Sequence, residues 1–258
     1  IQIGGLGFMT VSTLVSILLR QRVGLHRRAV LMDTVGALQL GGIVRLTRRA
    51  LRVTAVCEGG GALLLALWFC PRYGLGQGLW MSVFHAVSAY CNAGFDLLGR
   101  GDSLCSLAGE PLVNLVIMVL IICGGLGFLV WDDLLTHGRD FRRWRLHSKI
   151  VTVFTLAIFL GGGGAFFLLE RNHAFAGLPL GQQMMMAAFQ SVTARTAGFI
   201  TVDQAALSQS STLLMFFLMF IGAGSGSTGG GAKVNTVAVL LLSAFAQARR
   251  QEDVNLFQ

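Results

Sequence analysis

Two stretches decide the fold: FHAVSAYCNAGF at residues 84–95 and FQSVTARTAGF at residues 189–199. They align after a one-residue gap, and each carries a short apolar segment into an Ala-Gly-Phe turn. The segments leading in, Gly78–Tyr90 and Gln182–Ala194, have 13 residues each. That is too short to cross a bilayer and right for a re-entrant helix; the competing reading is a short amphipathic helix lying on the surface. A second duplication runs alongside. GGLGF occurs at Gly4–Phe8 and again at Gly124–Phe128, each time in a long apolar run that leads into a basic stretch. A duplicated order of this kind is the mark of a repeat architecture.

Outward from these motifs lie apolar runs at 1–19, 53–70, 112–131 and 150–169, of 18–20 residues each. Such a length crosses a hydrocarbon core of roughly 30 Å. A fifth run, from about 212 to 247, is too long for one straight span. GAGSGSTGGG at Gly222–Gly231 interrupts it, and helix propensity collapses there. The composition agrees: 54% hydrophobic and 12% charged, where a soluble domain has about 25% charged residues. The mean hydropathy is +0.68. With 34 glycines and only 3 prolines, neither disorder nor a collagen-like repeat fits. The five cysteines show no C-x-x-C pair and no metal spacing.

The net charge of +8 invites a nucleic-acid reading, but its distribution argues against one. Eight arginines lie between residues 20 and 52, five basic residues between 136 and 149, and Arg249 and Arg250 near the end. Thus 15 of 20 basic residues sit in three polar stretches between apolar runs. Basic loops of this kind mark the cytoplasmic side, so residues 96–110 and 171–181 are expected outside. The chain starts at Ile1 inside an apolar run, which reads as a fragment of a longer protein.

A short helix entering from outside points its partly negative C-terminal end at the membrane centre. The turn after it can aim backbone carbonyls at a dehydrated cation. Glycine permits the dihedrals this needs. The candidate filter residues are Asn92, Ala93, Gly94 and Phe95, with Thr196, Ala197, Gly198 and Phe199 in the second copy. An ordinary Gly-terminated helix stop competes, and duplication of the turn in equivalent context favours the filter.

SVFHAVSAYCNAGFD (82–96), SVTARTAGF (191–199), FIGAGSGSTGGGAK (220–233) and the RQRVGL…GGIVRL loop (20–46) resemble the membrane subunit of the Trk/Ktr potassium-uptake systems, closer to the Ktr type. The resemblance covers essentially the whole chain. It implies an all-α membrane protein of repeated M1–pore helix–M2 units with potassium-channel-like architecture, multi-pass in the plasma (inner) membrane. By that likeness, M2 of a first unit occupies 1–20 and a cytoplasmic basic loop 21–52. A second unit fills 53–137, a cytoplasmic loop 138–148 and a third unit 149–247. The tail or linker is 248–258, and the start of the first repeat and the fourth repeat are missing. It also implies potassium as the transported ion, held at filter backbone carbonyls, moving passively or with sodium. The implied partners are a cytosolic ring of nucleotide-binding regulatory subunits and a second copy in the membrane, with no cofactor in this chain and no catalytic residue. AGF is looser than the TVGYG turn of dedicated potassium channels, so moderate selectivity is expected.

In the family, the stretch matching 222–231 is an intramembrane gating loop. The gating candidates are Gly222, Gly224, Ser225, Gly226, Ser227, Thr228, Gly229, Gly230, Gly231 and Lys233. A glycine-rich helix-packing face is the plain alternative. The G-x-G-x-x-G within it lacks the flanking strand of a dinucleotide site, and Ala232 breaks any phosphate-loop pattern. Lys233 forms a positive barrier, tethers the loop or snorkels to the interface. Glu58 pairs with a basic residue or ion, or makes a polar contact between helices. Asp96 draws cations to the mouth or caps its turn. Arg195 is expected to pair structurally, since a free guanidinium there would repel cations. From other classes come an intramembrane serine hydrolase built on Ser225 and His85, and a scaffold without transport.

Overall fold

The computed structural model describes residues 1–6, 43–99 and 101–249. The expected span at 1–20 and basic loop at 21–52 therefore lie largely outside the described residues, as does the tail from residue 250. The described helices are α1 (Gln2–Leu6), α2 (Ile43–Tyr73), α3 (Leu75–Tyr90), α4 (Pro111–Leu126), α5 (Phe128–His137), α6 (Leu146–Glu170), α7 (Leu180–Thr193), α8 (Gln209–Phe220) and α9 (Val234–Ala248). Among the described residues the only β pairing is an isolated bridge between Ile221 and Ala232.

Two units of one plan follow each other. In the first, α2 runs for 31 residues and α3 for 16. Gly74, at φ 80°, reverses the chain between them, a conformation that favours glycine. Gly78 then lies against the backbone of Cys70, where a Cβ would come within 2.6 Å. After α3 and its turn, Pro111 opens α4 at a position where a missing N–H costs nothing. Asn114 Nδ2 donates to the carbonyls of Leu107, Ala108 and Glu110 at 2.9–3.2 Å and gathers the connection onto α4. In the second unit α6 stays helical through Gly161–Gly164. The glycines there serve close approach: Ser191 Oγ of α7 sits over Gly162 and donates to Phe159 O at 3.0 Å.

α2 and α6 are each long and apolar enough to cross a membrane, over Leu46–Tyr73 and Leu146–Glu170. They expose large aliphatics, Val56, Leu63 and Leu67 on α2, Leu156, Leu160 and Leu168 on α6, as lipid-facing helices do. Inward, the two units share one core. Leu65, Phe69, Met81, Ala86, Tyr90 and Ile117 of the first meet Phe189, Val192, Ala197 and Phe199 of the second.

Two features depart from the sequence reading. α2 begins at Ile43, so Arg48, Arg49 and Arg52 lie on a helix rather than in a loop. The run expected as one span over 112–131 bends by 93° at Gly127. The cause is insertion of the Gly-rich segment. Phe128 N donates to Gly226 O at 3.0 Å, and Gly127, at φ 88°, has Ser225 O where a Cβ would stand at 2.6 Å. The interruption of the fifth run is where the glycines lie, between α8 and α9.

Beyond the bend, α5 gathers positive charge. Asp132 takes Arg49 at 2.6 Å and Arg145 at 3.0 Å. Buried Asp133 accepts from Ser148 Oγ at 2.6 Å and from Arg145 N at 3.1 Å. Arginines from the first two basic stretches thus meet at one end of the molecule. At the other end, Trp68 Nε1 donates to Glu110 at 2.8 Å while the Arg72 guanidinium lies 4.0 Å from the Trp68 ring centre.

Candidate functional site

The two AGF turns leave α3 and α7 in the same way. Asn92, at φ 50°, and Thr196, at φ 65°, occupy equivalent positions, and both are left-handed. Gly94 and Gly198 follow at φ 71° and 84°. The closing bonds correspond: Ala93 N to Ser88 O at 2.9 Å, and Ala197 N to Thr193 O at 3.1 Å. Hydroxyls at matching positions hold the phenylalanine carbonyls. Ser88 Oγ lies 2.8 Å from Phe95 O and also accepts from Phe95 N at 2.9 Å. Thr193 Oγ1 donates to Phe199 O at 2.5 Å. With those carbonyls tied back, the carbonyls of the three preceding residues in each turn carry the free acceptor capacity.

The turns abut. A Cβ on Gly94 would stand 2.6 Å from Ala197 O and 2.8 Å from Gly198 Cα. All eight filter candidates are therefore brought together, although the phenylalanine rings part: Phe199 is buried in the shared core and Phe95 is exposed. Past the turns, Leu104 N donates to Ile200 O at 2.8 Å and Ile200 N to Ser103 Oγ at 3.2 Å.

The Gly-rich segment folds against both turns. Its neck is closed by Gly222 N to Ala232 O at 3.0 Å and Ala223 N to Gly230 O at 3.1 Å. Gly224 N and Thr228 N donate to the carbonyls of Gly125 and Gly124 at 2.9 and 3.2 Å. Ser227 Oγ donates to Gly224 O at 2.6 Å within the loop. Thr228 Oγ1 donates to Tyr90 O at 2.8 Å and accepts from Asn92 Nδ2 at 2.9 Å. Gly230 N donates to Thr196 Oγ1 at 3.0 Å. These bonds give many of its freed backbone groups a protein partner, which is what irregular backbone at membrane depth requires.

Of the ambiguous polar residues, Arg195 donates through Nη2 to Gly222 O at 2.9 Å and tethers the loop. Lys233 Nζ donates to Gly229 O at 2.8 Å and does the same. Asp96 caps its own turn, accepting from Leu98 N at 2.9 Å. Glu58 accepts from Gln2 Nε2 at 2.8 Å and meets Cys91 Sγ at 4.0 Å, a polar contact between helices. Buried His85 donates from Nδ1 to Met81 O at 2.7 Å, which leaves Nε2 to accept from Leu97 N at 3.4 Å. Both ring nitrogens are committed, and the hydrolase reading with Ser225 finds no support in them.

Between the turns, α4 and the loop lies a small cavity lined by Asn92, Arg195, Gly125 and Ala223 among others. Asn92 Oδ1 and Arg195 Nε are buried without a protein partner.

Sequence reasoning missed Ser88 and Thr193, although the alignment pairs a hydroxyl with a hydroxyl there. It also left GGLGF without a role. Gly5 packs on Cys91 and Gly124 on the Tyr90 carbonyl and Thr228, so both copies let helices close on the end of α3.

A helical membrane protein of repeated units, each a long helix, a short helix with a turn and a second span, is the class this architecture defines. Comparison with known proteins places it further: the family model described as TrkH, cation transport protein, matches residues 1–258, and the chain belongs to that family. It is 37% identical over 262 residues to the potassium/sodium uptake protein NtpJ of Enterococcus hirae, covering 100% of this chain and 56% of that one. It is 37% identical over 260 residues to the Ktr system potassium uptake protein B of Bacillus subtilis, covering 100% of this chain and 58% of that one. The chain thus spans somewhat over half the length of these relatives. The potassium transporter TrkH of Vibrio parahaemolyticus shares the fold, with a TM-score of 0.73 over 96% of this chain and 48% of that one at 20% identity.

Proposed function

We propose that this chain supplies part of a potassium pathway across the plasma membrane, with two filter turns and an intramembrane gating loop. The observation that carries the reading is the meeting of two duplicated turns, Asn92–Phe95 and Thr196–Phe199, at the ends of two short helices. Their free carbonyls are the ligands a dehydrated monovalent cation needs. The printed names of the relatives, potassium/sodium uptake and potassium uptake, supply the ion. Movement is passive or sodium-coupled, down an electrochemical gradient. The remaining length of such proteins furnishes the other filter turns.

In this reading the basic stretches face the cytoplasm and meet a regulatory ring of nucleotide-binding subunits, and the membrane subunit pairs with a second copy. The Gly-rich loop closes the path until that ring displaces it. Displacement need cost only a few kcal/mol, within reach of a bound partner. The test is uptake by the full-length protein carrying Gly94→Ser or Gly198→Ser, in cells lacking other potassium uptake. Both are expected to weaken the preference for potassium over sodium. Wild-type uptake and selectivity in both variants would sink the filter assignment. For the gate, deletion of Gly224–Gly230 should raise flux and loosen its dependence on the ring.

A further inference from the structure

The left-handed residues of the two turns are not all glycines. Asn92 and Thr196 hold φ 50° and 65°. Asparagine tolerates this conformation, but a β-branched residue there is an outlier. Such backbone persists only where its surroundings over-determine it. At both positions the surroundings are the same segment: Asn92 Nδ2 bonds Thr228 Oγ1 at 2.9 Å, and Thr196 Oγ1 accepts from Gly230 N at 3.0 Å. One residue lies against both side chains at once. A Cβ on Gly229 would stand 3.3 Å from Thr196 Oγ1 and 3.5 Å from Asn92 Nδ2. Thr228 also bonds Tyr90 O, and Arg195, next to Thr196, bonds Gly222 O. The loop therefore holds each turn by its side chain and by a residue beside it, through the Tyr90 carbonyl at the first turn and the Arg195 guanidinium at the second.

We infer that the Gly-rich loop braces the filter, with Thr228 and the Gly230 amide as positioning groups that keep Asn92 and Thr196 in their left-handed conformation. This rests on the filter reading above and adds to it. A loop that only obstructed the path would change flux alone. A loop that also braces the turns changes selectivity whenever it moves. The brace is in turn fixed to the bend between α4 and α5 through Gly124, Gly125 and Phe128, so motion of α5 reaches the filter through it.

The test measures reversal potentials under potassium and sodium gradients, with the full-length protein in planar bilayers. Thr228→Val keeps the side-chain shape and removes both of its hydrogen bonds; Thr196→Val removes the acceptor of Gly230 N. Each is expected to lower the potassium-to-sodium permeability ratio by about threefold to tenfold, the reach of one or two hydrogen bonds. Thr228→Ser, which keeps the hydroxyl, should restore the ratio. Asn92→Ala combined with Thr228→Val should lose less than the sum of the two single changes, because the two share one bond. Higher flux at an unchanged ratio in both valine variants overturns the brace, as does a serine variant as impaired as the valine one. Gly198→Ser separates the two ideas, since its nearest neighbours are Gly94 and Ala93 rather than the loop. No change there and none in Gly94→Ser overturns filter and brace together; a loss there with none in the valine variants overturns the brace alone. Thermal unfolding and elution of each purified variant establish that it is folded, and the two turns give independent readings should one variant fail.

Discussion

Gly94→Ala and Gly198→Ala make the same chemical change at equivalent positions, yet the geometry predicts unequal damage. At Gly94 the new methyl would stand 2.6 Å from Ala197 O and 2.8 Å from Gly198 Cα. Both are backbone atoms, so no side-chain rotation relieves the overlap. Adding an atom to a packed site costs about 1–3 kcal/mol. The left-handed φ of 71° adds its own penalty, about 1–2 kcal/mol for a residue with a Cβ. The total is about 2–5 kcal/mol. At Gly198 the nearest atoms are Gly94 Cα at 3.4 Å and Ala93 O at 4.0 Å, ordinary contacts. Only the dihedral penalty remains, about 1–2 kcal/mol. Gly94→Ala should therefore be less stable than Gly198→Ala by about 1–3 kcal/mol. Thermal and denaturant unfolding of the purified full-length variants in one detergent measures this directly. Ion selectivity, read beside it, should fall further in Gly94→Ala. Equal losses, or a larger loss in Gly198→Ala, would refute the reasoning that contact across the two turns, and not the dihedral alone, requires glycine at 94.

Gly124→Ala should lower stability by about 1–3 kcal/mol, because its Cβ overlaps Tyr90 O and stands 2.7 Å from Thr228 Oγ1; by contrast Gly60→Ala, with open space around it, should be neutral or add up to about 1 kcal/mol of helix stability, and the pair is compared by thermal unfolding. Asp133→Ala leaves Arg145 N and Ser148 Oγ of a buried site without their acceptor, and is expected to cost about 1–3 kcal/mol by the same measurement. For orientation, a cysteine at exposed Asn172 should react with an impermeant thiol reagent applied outside, and one at exposed Asp140 should not; the reverse pattern inverts the topology. Background from native Cys105 is expected to be slow, since burial pushes its thiol up and leaves less of the reactive thiolate.

The helical membrane fold was legible because its signals are long or duplicated. Apolar runs of fixed length need no partner to be read, and the AGF turns appear twice in the same order. The break of the last span was legible for a local reason, the loss of helix propensity over Gly222–Gly231. The bend at Gly127 was not, although the glycine was in view. A single glycine inside an apolar run reads as packing, and the bend is set by Gly226 O reaching Phe128 N from nearly a hundred residues away. The partners of Arg195 were hidden for the same reason: a carbonyl acceptor leaves no trace in side-chain identity. Ser88 and Thr193 were hidden differently. Hydroxyls on short apolar helices are common, and only the geometry shows that both close on the phenylalanine carbonyl.

The bonds between the Gly-rich loop and the two turns differ greatly in sequence distance. Gly230 lies 34 residues after Thr196, whereas Thr228 lies 136 residues after Asn92. A ribosome adding about 5–20 residues per second needs about 7 to 27 s to cover the longer interval. For that time the first turn is already synthesised and its partner does not exist. The second turn waits only about 2 to 7 s. Biosynthesis therefore finishes the two halves of the site almost together, when residues 228 to 230 arrive, but after very unequal waits: the later turn meets its partner soon after it is made, and the earlier one only after the longer interval. A chain stopped between residues 199 and 228 keeps both turns in its sequence and lacks the loop groups that bond to them.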